Sequence, residues 1–95
     1  LTKHTGLYPE KIRIKKLKTA WGICYRNRSI TLNLLLLCCP INVIDYVIIH
    51  ELSHLKHMNH SSNFWNEVTI FSPQFKESKA WLKANGTKIF HQNYL

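Results

Sequence analysis

Apolar residues are so dense between Asn42 and Leu55 that this segment can only be a helix buried on most of its surface. Val43, Ile44, Tyr46, Val47, Ile48, Ile49, Leu52 and Leu55 cover most sides of such a helix, and Asn42, Asp45, Ser53 and Lys56 gather on one polar strip. A helix with so wide an apolar surface belongs at the centre of a fold, with the other elements packed around it. Asn42 is a suitable N-cap and Asp45 suits the first turn, while Pro40 can open a helix but not continue one.

Three polar residues interrupt the apolar surface near its end, His50, Glu51 and His54, in the pattern H-E-x-x-H. On a helix, positions four apart lie one turn above each other on one face. That spacing lets two imidazoles bind one zinc ion. Glu51 sits about 100° round the helix from His50, which removes it from the ligand face but leaves it able to reach water at the metal.

A hydrolytic zinc takes three protein ligands and keeps one position open, and two histidines compete to be the third. His57 lies seven residues beyond His50, a rise of about 10.5 Å along a straight helix. Nitrogens on one zinc are only about 3–4 Å apart, so one straight helix cannot bring His50, His54 and His57 to the same ion, and His60 is favoured over His57. His60 follows an expected helix stop at Met58-Asn59, where Asn59 tolerates the left-handed conformation, and the chain can fold it back to the metal. The expected site is therefore His50, His54 and His60 around Zn2+, with Glu51 as general base and acid in peptide-bond hydrolysis. For an oxyanion donor the nearest candidates are His57 and Tyr46. The alternatives are core histidines without a metal, and a structural zinc, which is usually closed by four ligands, often Cys.

Ninety-five residues correspond to one domain spanning 1–95. The charge is +8 and uneven, with eight Lys and Arg against Glu10 alone in residues 1–30. The simpler reading is a solvated face. The alternative is a non-catalytic zinc-binding, DNA-binding or partner-binding module that uses this basic N-terminal third. Cys24, Cys38 and Cys39 are odd in number and lack Cys-x-x-Cys spacing, which favours reduced thiols and a cytoplasmic setting. The apolar run Leu34–Ile41 is too short to span a membrane. A monomer acting on a protein or peptide substrate is expected.

Ile12 and Ile14 alternate with Lys11, Arg13 and Lys15, the period of a half-buried strand. Trp21, Ile23 and Tyr25 alternate in the same way, as do Ile30, Leu32 and Leu34. Between the last two runs lies the polar Arg26-Asn27-Arg28-Ser29 with its turn-tolerant Asn27, so they read as an antiparallel hairpin. After the central helix, Ser61 or Ser62 caps a second helix carrying Phe64, Val68 and Phe71. Ser72-Pro73 opens a third carrying Phe75, Lys79 and Leu82. Asn85-Gly86 reads as its stop, with residues 87–95 as a tail. The fold class is α+β: a small antiparallel sheet packed on a buried active-site helix followed by two further helices.

Several stretches resemble the YgjP-like metallopeptidase domain (DUF45), a zincin-like family related to the SprT-like and WLM proteases. They are Leu17-Lys18-Thr19-Ala20-Trp21-Gly22-Ile23-Cys24, Ile30-Thr31-Leu32-Asn33, the run from Asp45 to Ser61, Phe64-Trp65, and Ala80-Trp81-Leu82-Lys83-Ala84-Asn85-Gly86. The resemblance covers about residues 7–86 and implies a zincin-like fold, zinc ligands His50, His54 and His60, and a catalytic Glu51. The His50-to-His60 spacing is also that of metzincins, but His57 stands where those have glycine. Ala20 and Ile23 replace the family's usual Arg and Ser, and Leu34-Leu35 stand where an Arg is common. The family's N-terminal part is expected to be shortened here.

Overall fold

Three short strands form a sheet in the spatial order β1 (Lys11–Lys15), β3 (Ser29–Asn33), β2 (Gly22–Cys24). The computed structural model describes residues 5–90. Strands β2 and β3 form the expected antiparallel hairpin, but β1 joins β3 in parallel, so the sheet is mixed. The reason lies in residues 16–28: they carry the chain past β3, build β2 on its far side and return, so that β1 and β3 run the same way. Register partners share a face. Ile12 pairs with Ile30, Ile14 with Leu32, Gly22 with Leu32, and Cys24 with Ile30, so all six lie on one side of the sheet.

That side meets the helices only in part. Ile30 is 2% exposed, whereas Ile12 and Ile14 are 50% and 65% exposed. The half-buried strand expected at β1 is thus exposed along its whole length. Alternation specifies which face is apolar, not whether anything lies over it. The hairpin turn also differs in detail. Arg28, not Asn27, adopts the left-handed backbone, with φ 68°. This matches a three-residue hairpin loop whose last residue is left-handed. Asn27 instead accepts hydrogen bonds at Oδ1 from the Ser29 N–H and hydroxyl, at 3.0 and 2.6 Å.

The apolar run after β3 does not extend the strand to Leu34. It winds into a 3-10 helix, Leu34–Cys38, capped by Asn33. Asn33 Oδ1 accepts from the Leu35 N–H (2.9 Å), and its Nδ2 donates to the carbonyls of Leu17 and Ala20 (3.0 and 2.8 Å). One buried amide therefore turns the chain and fixes the segment ahead of β2.

The central helix α1 spans Ile41–Ser53, with Pro40 rather than Asn42 at its N-cap position. The Pro40 carbonyl accepts from the Val43 and Ile44 N–H groups. Tyr46 and Val47 join Leu36, Phe64 and Val68 in the core, as the apolar surface requires. Ser53, assigned above to the polar strip, is instead fully buried, and its hydroxyl has no partner. Helix α2 (Ser62–Phe71) is capped by Ser61, whose hydroxyl accepts from the Phe64 N–H at 3.3 Å.

Helix α3 (Phe75–Phe90) begins two residues after Pro73, where the Ser72 carbonyl accepts from the Phe75 N–H. It does not stop at Asn85-Gly86. Gly86 is buried within it because Trp21 lies against it: a Cβ there would sit 3.3 Å from Trp21 Cζ2. Phe90, expected in the tail, packs on Trp21 at 4.5 Å between ring centroids. The rest of that tail, residues 91–95, lies outside the described residues, as do residues 1–4 of the N-terminal loop. Among the described residues no helix is long and apolar enough to cross a membrane.

Candidate metal centre

Helix α1 stacks His50 and His54 one turn apart, with ring centroids 5.0 Å from each other. The helix ends at Ser53, earlier than expected, and His54 occupies the C-cap position. The chain then turns without using a left-handed Asn59: Arg28 is the one non-glycine residue with positive φ among those described. His57 N–H donates to the Ser53 carbonyl at 2.9 Å, which completes a last helix-like turn. Beyond it the chain swings back and brings His60 Nε2 to 3.1 Å from His54 Nε2. Candidate ligand atoms of His50, His54 and His60 all lie within 4.8 Å of one another. His57 stays outside this group, its ring turned to Glu67 at 3.5 Å.

Contacts from several directions hold the turn. The ring of His54 meets the carbonyl of His57 through Nδ1 at 3.0 Å. A proton on Nδ1 makes that hydrogen bond and leaves the Nε2 lone pair facing His60. Glu67 on α2 lies 3.3 Å from Lys56 Nζ as well as against His57. The Arg28 guanidinium donates to the Leu55 carbonyl at 3.4 Å and the Tyr8 carbonyl at 3.1 Å. Phe64 is the floor of the site. It stacks on His54 at 4.4 Å and lies 5.0 Å from both His50 and His60 between centroids.

The donor set fits a transition-metal ion. Imidazoles suit zinc and its neighbours, and the group holds three donors and no fourth His, Cys, Asp or Glu among the described residues. That is the composition of a site with an open coordination position rather than a closed structural one. Burial pushes the His54 pKa down, against the opposing pull of its hydrogen bond to the His57 carbonyl. Its ring is therefore neutral near pH 7, the form that ligates metals.

Glu51 is 6% exposed, and its Oε2 lies 3.1 Å from His50 Nδ1. Strand β2 passes so close that a Cβ on Gly22 would be 2.8 Å from Glu51 Cγ. Burial and the charge of Glu51 raise the Tyr46 hydroxyl to about 12. Burial first, then Glu51, raises the Cys24 thiol as well. All three cysteines are free. The histidines open onto a groove of about 320 Å³ bordered by Gly22, Ile23, Cys24 and Met58. A second hollow of about 200 Å³ adjoins it and shares Gly22, His50 and Glu51. A larger hollow of about 410 Å³ at Asn42, Asp45 and Gln74 lies away from the histidines and holds no comparable chemistry.

The sequence profile of the YgjP-like metallopeptidase domain matches residues 1–85. The chain belongs to the YgjP-like metallopeptidase family. Its fold is similar to the crystal structure of the metallopeptidase zymogen of Pyrococcus abyssi abylysin, with a TM-score of 0.76 and 30% sequence identity over 88% of this chain and 86% of that one. No curated protein matches significantly. Membership implies a catalytic metal, and the three histidines are the group that could hold it.

The pattern H-E-x-x-H and the return of His60 were legible in the sequence as a candidate site. Gly22, Arg28, Phe64 and Glu67 were not. Phe64 and Gly22 carried a signal as residues of the family-like stretches. Arg28 and Glu67 carried none, since each acts through a contact distant in sequence.

Proposed function

We propose that this protein is a zinc-dependent peptidase in which His50, His54 and His60 bind the metal and Glu51 serves as general base and then general acid. The observation that carries this is the convergence of three imidazole nitrogens beside a buried carboxylate at the wall of an open groove. Bound zinc supplies Lewis acidity, polarising a carbonyl and acidifying water. Glu51 Oε takes a proton from the attacking water and hands it to the leaving amine nitrogen. The His57 carbonyl holds the His54 ring in the tautomer that presents Nε2. Gly22 lets β2 run tight against Glu51, which limits the carboxylate's freedom. Of the two oxyanion-donor candidates, Tyr46 borders the hollow beside Glu51, whereas His57 is engaged with Glu67.

The test is metal content with activity. Purified protein is expected to carry about one zinc per chain, lost in His54→Ala and His60→Ala. Glu51→Gln is expected to keep the zinc and abolish cleavage of an unfolded protein substrate. A folded wild type that takes up no zinc would overturn the metal assignment. Zinc bound in full with no cleavage under any condition would favour a binding module instead.

A further inference from the structure

The hollow next to Glu51 is not needed to hold a metal, yet it opens beside the carboxylate and the first histidine. We propose that it is the subsite that seats an uncharged, apolar side chain of a residue flanking the scissile bond. This rests on the peptidase reading above and adds a substrate class to it.

Placement comes first. The hollow and the metal groove share Gly22, His50 and Glu51. A side chain entering the hollow therefore keeps its own backbone within reach of Glu51. Size is the second constraint. A cavity of about 150 Å³ accepts a benzene-sized group, so about 200 Å³ takes one side chain between leucine and phenylalanine in bulk.

Chemistry is the third. The remaining walls are Trp21, Tyr46, Val47 and Leu82. Glu51 is the one carboxylate on the lining, so an acidic side chain is repelled. An ammonium would have to leave water for a wall of Val47 and Leu82. The walls are also pinned in advance. Trp21 packs against Phe90 and Gly86 of α3, and Tyr46 and Val47 are core residues. A preformed apolar hollow binds with little ordering cost.

The test uses zinc-loaded protein and hydroxamates, which attach to a metal without being cleaved. Acetohydroxamate is compared with analogues extended by an isobutyl or an aminobutyl group. The isobutyl compound is expected to bind at least about tenfold more tightly than acetohydroxamate, as for an apolar group entering a matched pocket, and the aminobutyl compound to gain nothing. Leu82→Phe, which fills the hollow, is expected to erase the isobutyl gain while zinc content and circular dichroism stay unchanged. Equal affinities for all three compounds, or a gain that survives Leu82→Phe, would overturn the subsite and leave the peptidase reading intact. Failure of every hydroxamate to bind a zinc-loaded chain would overturn the peptidase reading, and the subsite with it. If Leu82→Phe does not fold, cleavage of a mixed peptide pool by the wild type decides. Enrichment of leucine-sized or phenylalanine-sized residues at one position beside the cut supports the subsite, and a flat profile overturns it.

Discussion

Gly22 sets how closely the sheet approaches the Glu51 carboxylate. A methyl group there would fall 2.8 Å from Glu51 Cγ and 3.0 Å from its Oε2, so the carboxylate has to move. If Glu51 is the general base proposed above, Gly22→Ala is expected to lower peptidase activity at least about tenfold, because the displaced carboxylate loses its alignment. Zinc should stay bound, and overpacking should cost about 1–3 kcal/mol of stability. Cleavage assays, metal analysis and thermal denaturation together check this. His54 makes a second prediction, about pH. Its folded-state pKa is lowered, chiefly by burial, from the ordinary histidine value of 6.5. The unfolded chain thus takes up the proton first as pH falls. Stability of the metal-free protein is full above about 6.5, declines below it, and stops declining from this source once the lowered folded pKa is passed. Thermal midpoints of chelator-treated protein across this range should fall with pH, and His54→Gln should flatten the curve.

At the scale of elements, the candidate metal centre depends on the turn between α1 and α2 more than on either helix. Glu67 holds the turn through Lys56 and His57, and His57 in turn orients His54. Glu67→Gln is expected to weaken zinc binding by about 10–100-fold, the usual effect of losing a group that orients a ligand. The unfolding midpoint of the metal-free protein should change little, since the pairs are partly exposed. Competition with a chelator of known affinity measures the first and calorimetry the second. A loss of stability equal to the loss of affinity would mean that Glu67 only supports the fold. The turn also shows where sequence reasoning reached its limit. Spacing alone removed His57 and favoured His60, because helix rise and metal–nitrogen distances are fixed quantities. The mechanism assigned to the turn, a left-handed Asn59, was not the one used. Tolerance of a conformation is a permission, and the contacts from Arg28 and Glu67 decide instead. The same holds for Asn85-Gly86, where a stop signal became a packing site because Trp21 needed a residue without a side chain. Helix α1 itself was legible in type and place, since its apolar surface left few other arrangements, but not in its two ends or in the burial of Ser53.

The whole molecule places its chemistry and its unused surface at opposite ends of one sheet. The β2 side meets α1 and the metal groove, whereas among the described residues nothing pairs with the outer edge of β1. That edge carries Lys11, Arg13 and Lys15 on one face and the exposed Ile12 and Ile14 on the other. Two copies meeting edge to edge could join their apolar residues only by bringing three cations from each chain together. Such lysine-rich edges discourage strand pairing between molecules. Replacing Lys11, Arg13 and Lys15 with Thr is expected to lower the concentration at which sedimentation velocity detects association, relative to the wild type. High salt should shift the wild type the same way, since screening shortens the reach of the charges. The bare strand is thus expected to tie the state of the protein to its ionic surroundings: salt would set the concentration at which copies begin to stick, and would leave the candidate metal centre at the other end of the sheet untouched.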